Sequence, residues 1–180
     1  MDLNQFKANM RFGGARQNLF QIIITNPVDG ASDLILPFRA KGSSLPASNI
    51  TPIELPYHGR MIKVAGHKTY EDWSVTIQED EDHSLRNAFE AWSNAINTPE
   101  TNTRATGTSD ISAYKSTAIV NLLSQTGNVL RSYKLVGIFP TAVASVPLDW
   151  SNDAVVEFEV TFAMDYFIVE PGPTGDAGAV

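Results

Sequence analysis

The residues able to do chemistry are few and scattered. His58, His67 and His83 stand in three different local contexts, so no ligand spacing supports a metal site. The run Glu79-Asp80-Glu81-Asp82 offers four carboxylates to a cation. It also lies where a helix begins, and there the helix dipole favours negative charge without any ligand. The second reading carries more weight. Asn49-Ile50-Thr51 matches a glycosylation acceptor, but no signal peptide precedes it and the match is read as chance. There is no glycine-rich phosphate loop, no HExxH, no GxSxG and no EF-hand pattern. No catalytic residue, metal ligand or cofactor is therefore expected, and an enzyme is the least favoured class.

The tryptophans raise a different chemistry, since aromatics can stack sugars or bases. Trp73 and Trp92 fall on apolar faces, which points to core packing. Trp150 lies in a polar turn. With Tyr57 and Tyr114 it is a loose candidate for a sugar platform, and the three form no recognisable spacing. A β-sandwich ligand-binding module is the reading these residues would serve.

Glu157, Glu159 and Asp165 are more suggestive. They alternate along residues 155–167 with Val156, Phe158, Val160, Phe162, Met164 and Tyr166. One face of that strand is apolar and the other acidic. The acidic face is either a solvated outer surface or the lining of an enclosed space.

The elements that must position these groups are mainly strands. Residues 1–18 read as an arm broken by Gly13-Gly14. Residues 19–25 (LFQIIIT) read as a strand stopped by Asn26-Pro27. Residues 34–41 read as a strand that Pro37 places at an edge or bulge. Short strands follow at 50–55 and 60–64, and Gly66 breaks the next connection. Residues 70–78 alternate, with Trp73, Val75 and Ile77 on one face. Leu85, Ala88, Phe89, Trp92 and Ile96 recur at helical spacing, which predicts a helix over 82–96. Residues 97–110 form a polar, Thr-rich loop. Strands at 116–125 and 129–139 flank Thr126-Gly127-Asn128 as a hairpin, with a further short strand at 141–147. The expectation is a mainly β fold, an antiparallel β-sandwich or barrel with one flanking α-helix. The β-domain spans 19–167, between the arm 1–18 and a flexible tail 168–180.

Composition agrees with a single globular domain. The chain has 180 residues, of which 43% are apolar and 18% charged. A chain of this length buries about 70% of its unfolded surface and folds without a staple. There are 13 basic and 20 acidic residues, a net charge of −7, which disfavours tight binding to phosphates. There are no cysteines, so disulfides, thiolate metal sites and a cysteine nucleophile are excluded. The first 12 residues carry Asp2, Lys7 and Arg11 and no apolar stretch of signal-peptide length, so synthesis in a cytoplasm is expected.

The chain also resembles a known family. The stretch Gly59-Arg60, then Lys63-Val64-Ala65-Gly66-His67-Lys68-Thr69-Tyr70-Glu71-Asp72-Trp73-Ser74-Val75-Thr76, is similar to a signature of tail tube proteins of contractile-tailed, T4-like bacteriophages. The acidic run and Phe89-Glu90-Ala91-Trp92 continue it. Ala15-Arg16-Gln17-Asn18-Leu19-Phe20, Lys115-Ser116-Thr117-Ala118-Ile119-Val120, Phe139-Pro140-Thr141, Leu148-Asp149-Trp150 and Phe158-Glu159-Val160-Thr161-Phe162-Ala163-Met164-Asp165-Tyr166 follow in order. The similarity covers residues 15–167. The loop 97–110 and the tail after Phe167 are not matched.

The resemblance implies a structural virion protein of two packed antiparallel sheets with a flanking helix. Six copies would form a ring, and rings would stack into a hollow tube inside a contractile sheath. The same fold is implied for type VI secretion tubes and pyocins. One sheet of each subunit would join its neighbours in a barrel around the channel, through which DNA passes without specific binding. On this reading Glu157, Glu159 and Asp165 line the lumen, and the segments 1–18 and 41–59 order at contacts between subunits or rings. Partners implied are the chain itself, the sheath, baseplate initiator proteins, a tape-measure protein and a tail terminator. A baseplate tube initiator, or the tube of an extracellular contractile injection system, is the alternative within the same fold.

Overall fold

The computed structural model describes residues 3–9, 14–105, 107 and 110–175. Its strands are β1 (Phe20–Ile24), β2 (Ala40–Ser43), β3 (Ser48–Tyr57), β4 (Arg60–Tyr70), β5 (Trp73–Gln78), β6 (Ser116–Leu123), β7 (Val129–Val143), β8 (Glu157–Ala163) and β9 (Tyr166–Glu170). The helices are α1 (Leu3–Asn9), α2 (Leu36–Arg39), α3 (Ser84–Ile96) and α4 (Ile111–Tyr114), with a 3-10 turn at Gly30–Leu34. Every pairing between these strands is antiparallel.

The long strand β7 joins two layers. Its first part pairs with β6 on one side and β9 on the other, while Phe139 to Val143 pairs with β8. One layer is therefore β1-β6-β7-β9, and the other is the end of β7 followed by β8, β5 and β2. Ile22, Ile24, Val120, Leu135 and Ile138 of the first layer and Trp73, Val75, Ile77, Phe158, Val160 and Phe162 of the second form one buried cluster. The apolar stripe of α3 closes it with Leu85, Phe89 and Trp92. Phe162 is central: its ring centroid lies 5.6 Å from Trp73, 5.8 Å from Phe89 and 6.1 Å from Trp92. Burying side chains of this size stabilises by about 1.5–3 kcal/mol each. Both tryptophans satisfy their N–H within the chain, Trp73 on the Ser44 carbonyl and Trp92 on the Tyr114 carbonyl.

Several local expectations fail, each for a physical reason. Residues 34–41 are not a strand but the helical turn α2 leading into β2. Pro37 lies at its start, where a missing N–H costs nothing. Gly66 does not break a strand; β4 runs through it, because the Thr51 carbonyl and Ile53 pack where its side chain would stand. Residues 141–143 are the end of β7 rather than a separate strand. The expected loop does hold over residues 97–105, where the Thr98 N–H donates to the Thr103 carbonyl at 2.9 Å and the Asn102 N–H to the Thr98 carbonyl at 2.9 Å. Thr106, Thr108 and Ser109 lie outside the described residues.

The last strand is two strands. β8 ends at Ala163 and β9 begins at Tyr166, on either side of the bend in β7. The side-chain parity changes there. Phe158, Val160, Phe162 and Met164 pack on the core, then Phe167 does, and Tyr166 is exposed. β9 carries the folded body to Glu170, past the expected boundary at 167. At the other end, residues 3–9 of the arm form α1; residues 1, 2 and 10–13 and the tail end 176–180 lie outside the described residues.

Candidate functional site

The outer face of the layer β8-β5-β2 is polar because the inner positions of these strands alternate with it. On β5 the buried Trp73, Val75 and Ile77 alternate with Ser74, Thr76 and Gln78. On β8 the buried Phe158, Val160 and Phe162 alternate with Glu157, Glu159, Thr161 and Ala163. Register brings Gln78 opposite Glu157, Thr76 opposite Glu159 and Ser74 opposite Thr161. Lys41 of β2 reaches across the face to Glu157, with Nζ 2.6 Å from Oε1, and Gln78 Nε2 donates to the same oxygen at 3.3 Å. The lysine holds the Glu157 carboxyl below its ordinary range. Glu159 is exposed and has no ion pair among the described residues.

Asp165 is not on this face. It sits in the bend between β8 and β9, where its carboxylate receives the Lys115 ammonium at 2.6 and 2.8 Å and covers Gly137. The alternation that placed it with Glu157 and Glu159 ends at Met164.

This layer has two open edges. Among the described residues β2 pairs only with β5 and the end of β7 only with β8, so each exposes a row of backbone donors and acceptors. The second exposed surface is the hairpin β3–β4, joined by the two-residue turn His58-Gly59 at φ of 43° and 79°. Leu55 faces Ile62 and Ile53 faces Val64 across the pair, and all four are about half exposed. Pro56–Met61 and the Glu54–Lys63 ion pair, at 3.7 Å, occupy the other face. Tyr70, at the base, meets Phe167 edge to face at 5.5 Å.

The remaining candidates do not assemble into chemistry. His58 is in the hairpin turn, His67 on β4 and His83 ahead of α3. Among the described residues no group of three or more His, Cys, Asp or Glu is placed to hold a metal, and no helix is long and apolar enough to cross a membrane. Trp150 is fully exposed, whereas Tyr57 is on the hairpin and Tyr114 packs on Phe139, so they share no platform. In the sequence Asn26 reads only as a strand stop. It is buried and ties the layer to α3: its Nδ2 donates to the Ala88 carbonyl at 3.2 Å, and its Oδ1 accepts from Val28 and Asp29.

An antiparallel β-sandwich with a one-helix cap, an open-edged polar sheet and a protruding hairpin defines a structural subunit. Residues 1–170 match the family described as phage tail tube protein, and the chain belongs to that family. It is 35% identical over 155 residues to tail tube protein gp19 of Enterobacteria phage T4, covering 85% of this chain and 90% of that one. It is 28% identical over 173 residues to the tail tube protein of Serratia phage KSP90, covering 92% and 94%. In fold it is similar to a chain of the sheath-tube complex of the PVC extracellular contractile injection system, with a TM-score of 0.64 at 14% identity over 94% of this chain and 98% of that one. The chain is thus a structural tail tube protein of a bacteriophage.

Proposed function

We propose that six copies close a ring, with the layer β2-β5-β8 and the end of β7 facing the bore, and that rings stack into the channel for DNA. The observation that carries this is the four-stranded sheet with two open edges and a polar outer face. Joining β2 of one copy to the end of β7 of the next removes both edges. Six such sheets supply about 24 strands; at ~4.8 Å spacing and ~40° tilt they close a barrel about 48 Å across. Inward side chains leave room there for a duplex.

Glu157 and Glu159 then line the lumen. Lys41 offsets one of the two charges, so the wall is weakly acidic and DNA slides without sticking. Asp165, held by Lys115, takes the place of a corner clasp. The sheath, baseplate, tape-measure and terminator proteins are the partners this role requires. Negative-stain electron microscopy of the concentrated protein tests the reading, with and without preformed tail baseplates as seeds. Hollow six-fold rings or tubes of uniform bore are expected; compact monomers in both conditions overturn it.

A further inference from the structure

The two strand edges left open on the polar sheet are both interrupted. On β2 the register passes from Ala40–Ile77 to Gly42–Thr76, so Lys41 is an extra residue on the edge strand. On the end of β7 it passes from Pro140–Phe162 to Ala142–Thr161, so Thr141 is extra there. Each edge thus carries a β-bulge, which bends the strand and breaks the row of outward backbone groups.

The hydrogen bonds of the inner strands fix which groups turn outward. The Glu159 carbonyl accepts from the Ala144 N–H at 2.8 Å, so the backbone groups of Glu159 and Thr161 turn toward β7. Those of Phe162 turn toward β5, and its partner Pro140 therefore turns to the open side. Pro140 supplies no donor there. On the other edge the Glu79 N–H donates to the Val156 carbonyl at 2.9 Å, so Ile77 and Val75 turn toward β8. Ser43, the partner of Val75, turns its N–H and C=O outward. It stands two positions from Lys41, whose Nζ is tied to Glu157 Oε1 at 2.6 Å. The strand β2 is four residues long. A short strand, a lysine, a proline and a bulge are the features that discourage edge-to-edge pairing.

We propose that Lys41 and Pro140 are specificity residues of the ring joint: they deter pairing between like edges of two copies and leave the pairing of β2 with the end of β7. This rests on the assembly reading above and deepens it. Two copies meeting β2 to β2 across a two-fold axis bring two bulges and two Lys41 side chains into one four-residue joint, where like charges oppose pairing. Two copies meeting through the ends of β7 bring two Pro140 residues together, and that joint lacks two donors. The joint of β2 with β7 holds one lysine and one proline and sets no like charges against each other. The choice of edge decides how growth proceeds. A like-edge joint relates its copies by a two-fold axis and cannot continue around a ring. The unlike joint leaves one edge of each kind free for the next copy.

Sedimentation velocity on unseeded protein tests the assignment. Below the concentration at which rings form, wild type is expected to sediment as monomer. Lys41→Val and, separately, Pro140→Val should form dimers there, with the dimer dissociation constant lowered at least tenfold in each. Cross-linking reads which edge is used, because the chain has no cysteine. Ser43→Cys combined with Lys41→Val should give disulfide-linked dimers under mild oxidation, and Ser43→Cys alone should not. Circular dichroism establishes that each variant is folded; if Pro140→Val does not fold, Lys41→Val decides alone. Either folded variant remaining as monomeric as wild type overturns the inference, as do disulfide dimers from Ser43→Cys alone. The tube is scored separately on baseplate seeds. Wild type that forms no rings on a seed overturns the assembly reading instead.

Discussion

The carboxylate of Asp165 lies where a side chain on Gly137 would stand, and Gly137 holds a φ of 73°. This contact marks the corner at which β7 passes from one layer to the other. Asp165 also donates its N–H to the Val136 carbonyl at 3.1 Å and receives Lys115, so three interactions hold one bend. A corner of this kind needs glycine, since other L-residues are strained at that φ and would displace the carboxylate.

Gly137→Ala should therefore lower stability by about 2–3 kcal/mol, combining positive-φ strain with the clash. In a chain of this size that is roughly 5–10 °C in thermal midpoint. Adding Asp165→Ala should recover part of the loss, a coupling measurable by a double-mutant cycle. Strict additivity of the two changes would contradict the contact.

Phe162 touches Trp73, Phe89 and Trp92, and it connects β8 to both β5 and α3. Phe162→Leu is expected to cost about 1–2 kcal/mol and Phe162→Ala about 3–5 kcal/mol. Denaturant unfolding of the monomer reads both. An alanine variant within 1 kcal/mol of wild type would show that the ring is not central to the core.

Burial raises the carboxyl of Glu79 above its ordinary value, opposed by the Arg86 backbone N–H and by the charges of His83 and Arg86. Since the folded value is above the unfolded one, this group's contribution to stability is complete below the unfolded value. It is lost as pH rises through the raised folded value. Glu79→Gln keeps an acceptor for the Arg86 N–H and removes the buried charge. Its thermal midpoint relative to wild type should be higher by about 2–4 °C at pH 7, around 1 kcal/mol, with the advantage gone near pH 4. An advantage equal at both pH values would rule out the buried charge as its cause.

Glu157→Gln with Glu159→Gln should leave tube assembly intact, because both side chains point away from the core and from the sheet edges. The bore would then carry the unpaired charge of Lys41. DNA ejection from virions carrying the pair should slow several-fold, by retention of phosphates on the wall. Time-resolved ejection at wild-type rate would refute the lumen assignment.

Much of this fold was legible from local pattern. The helix of Leu85, Phe89 and Trp92, and the alternation of Trp73, Val75 and Ile77, need only the period of the chain to be read, and the structure keeps both. The same holds for the apolar face from Phe158 to Met164. Residues 34–41 were not legible as helix, because apolar content there suits a strand equally well and Pro37 is compatible with either an edge or a first turn.

The candidate site divides in the same way. Period alone put Glu157 and Glu159 on one face. It also put Asp165 with them, since nothing local announces that β8 stops at Ala163. That break comes from pairing: β7 bends at Gly137, 28 residues before Asp165, and the partner strand must bend with it.

The amino-acid sequence by itself thus determined most of the strands but not their ends, together with the one long helix, the buried aromatic set, the lack of thiol chemistry and the acidic balance, because each is read from composition or from neighbours a few positions away. The tertiary structure alone decided which acids share a face, that Lys41 meets Glu157 across 116 positions, and that the hairpin β3–β4 leaves the sheet at the end opposite the run Glu79–Asp82. Antiparallel register sets those relations. Register is a property of strands brought together in space, where one extra residue at a bend turns every later side chain to the other side.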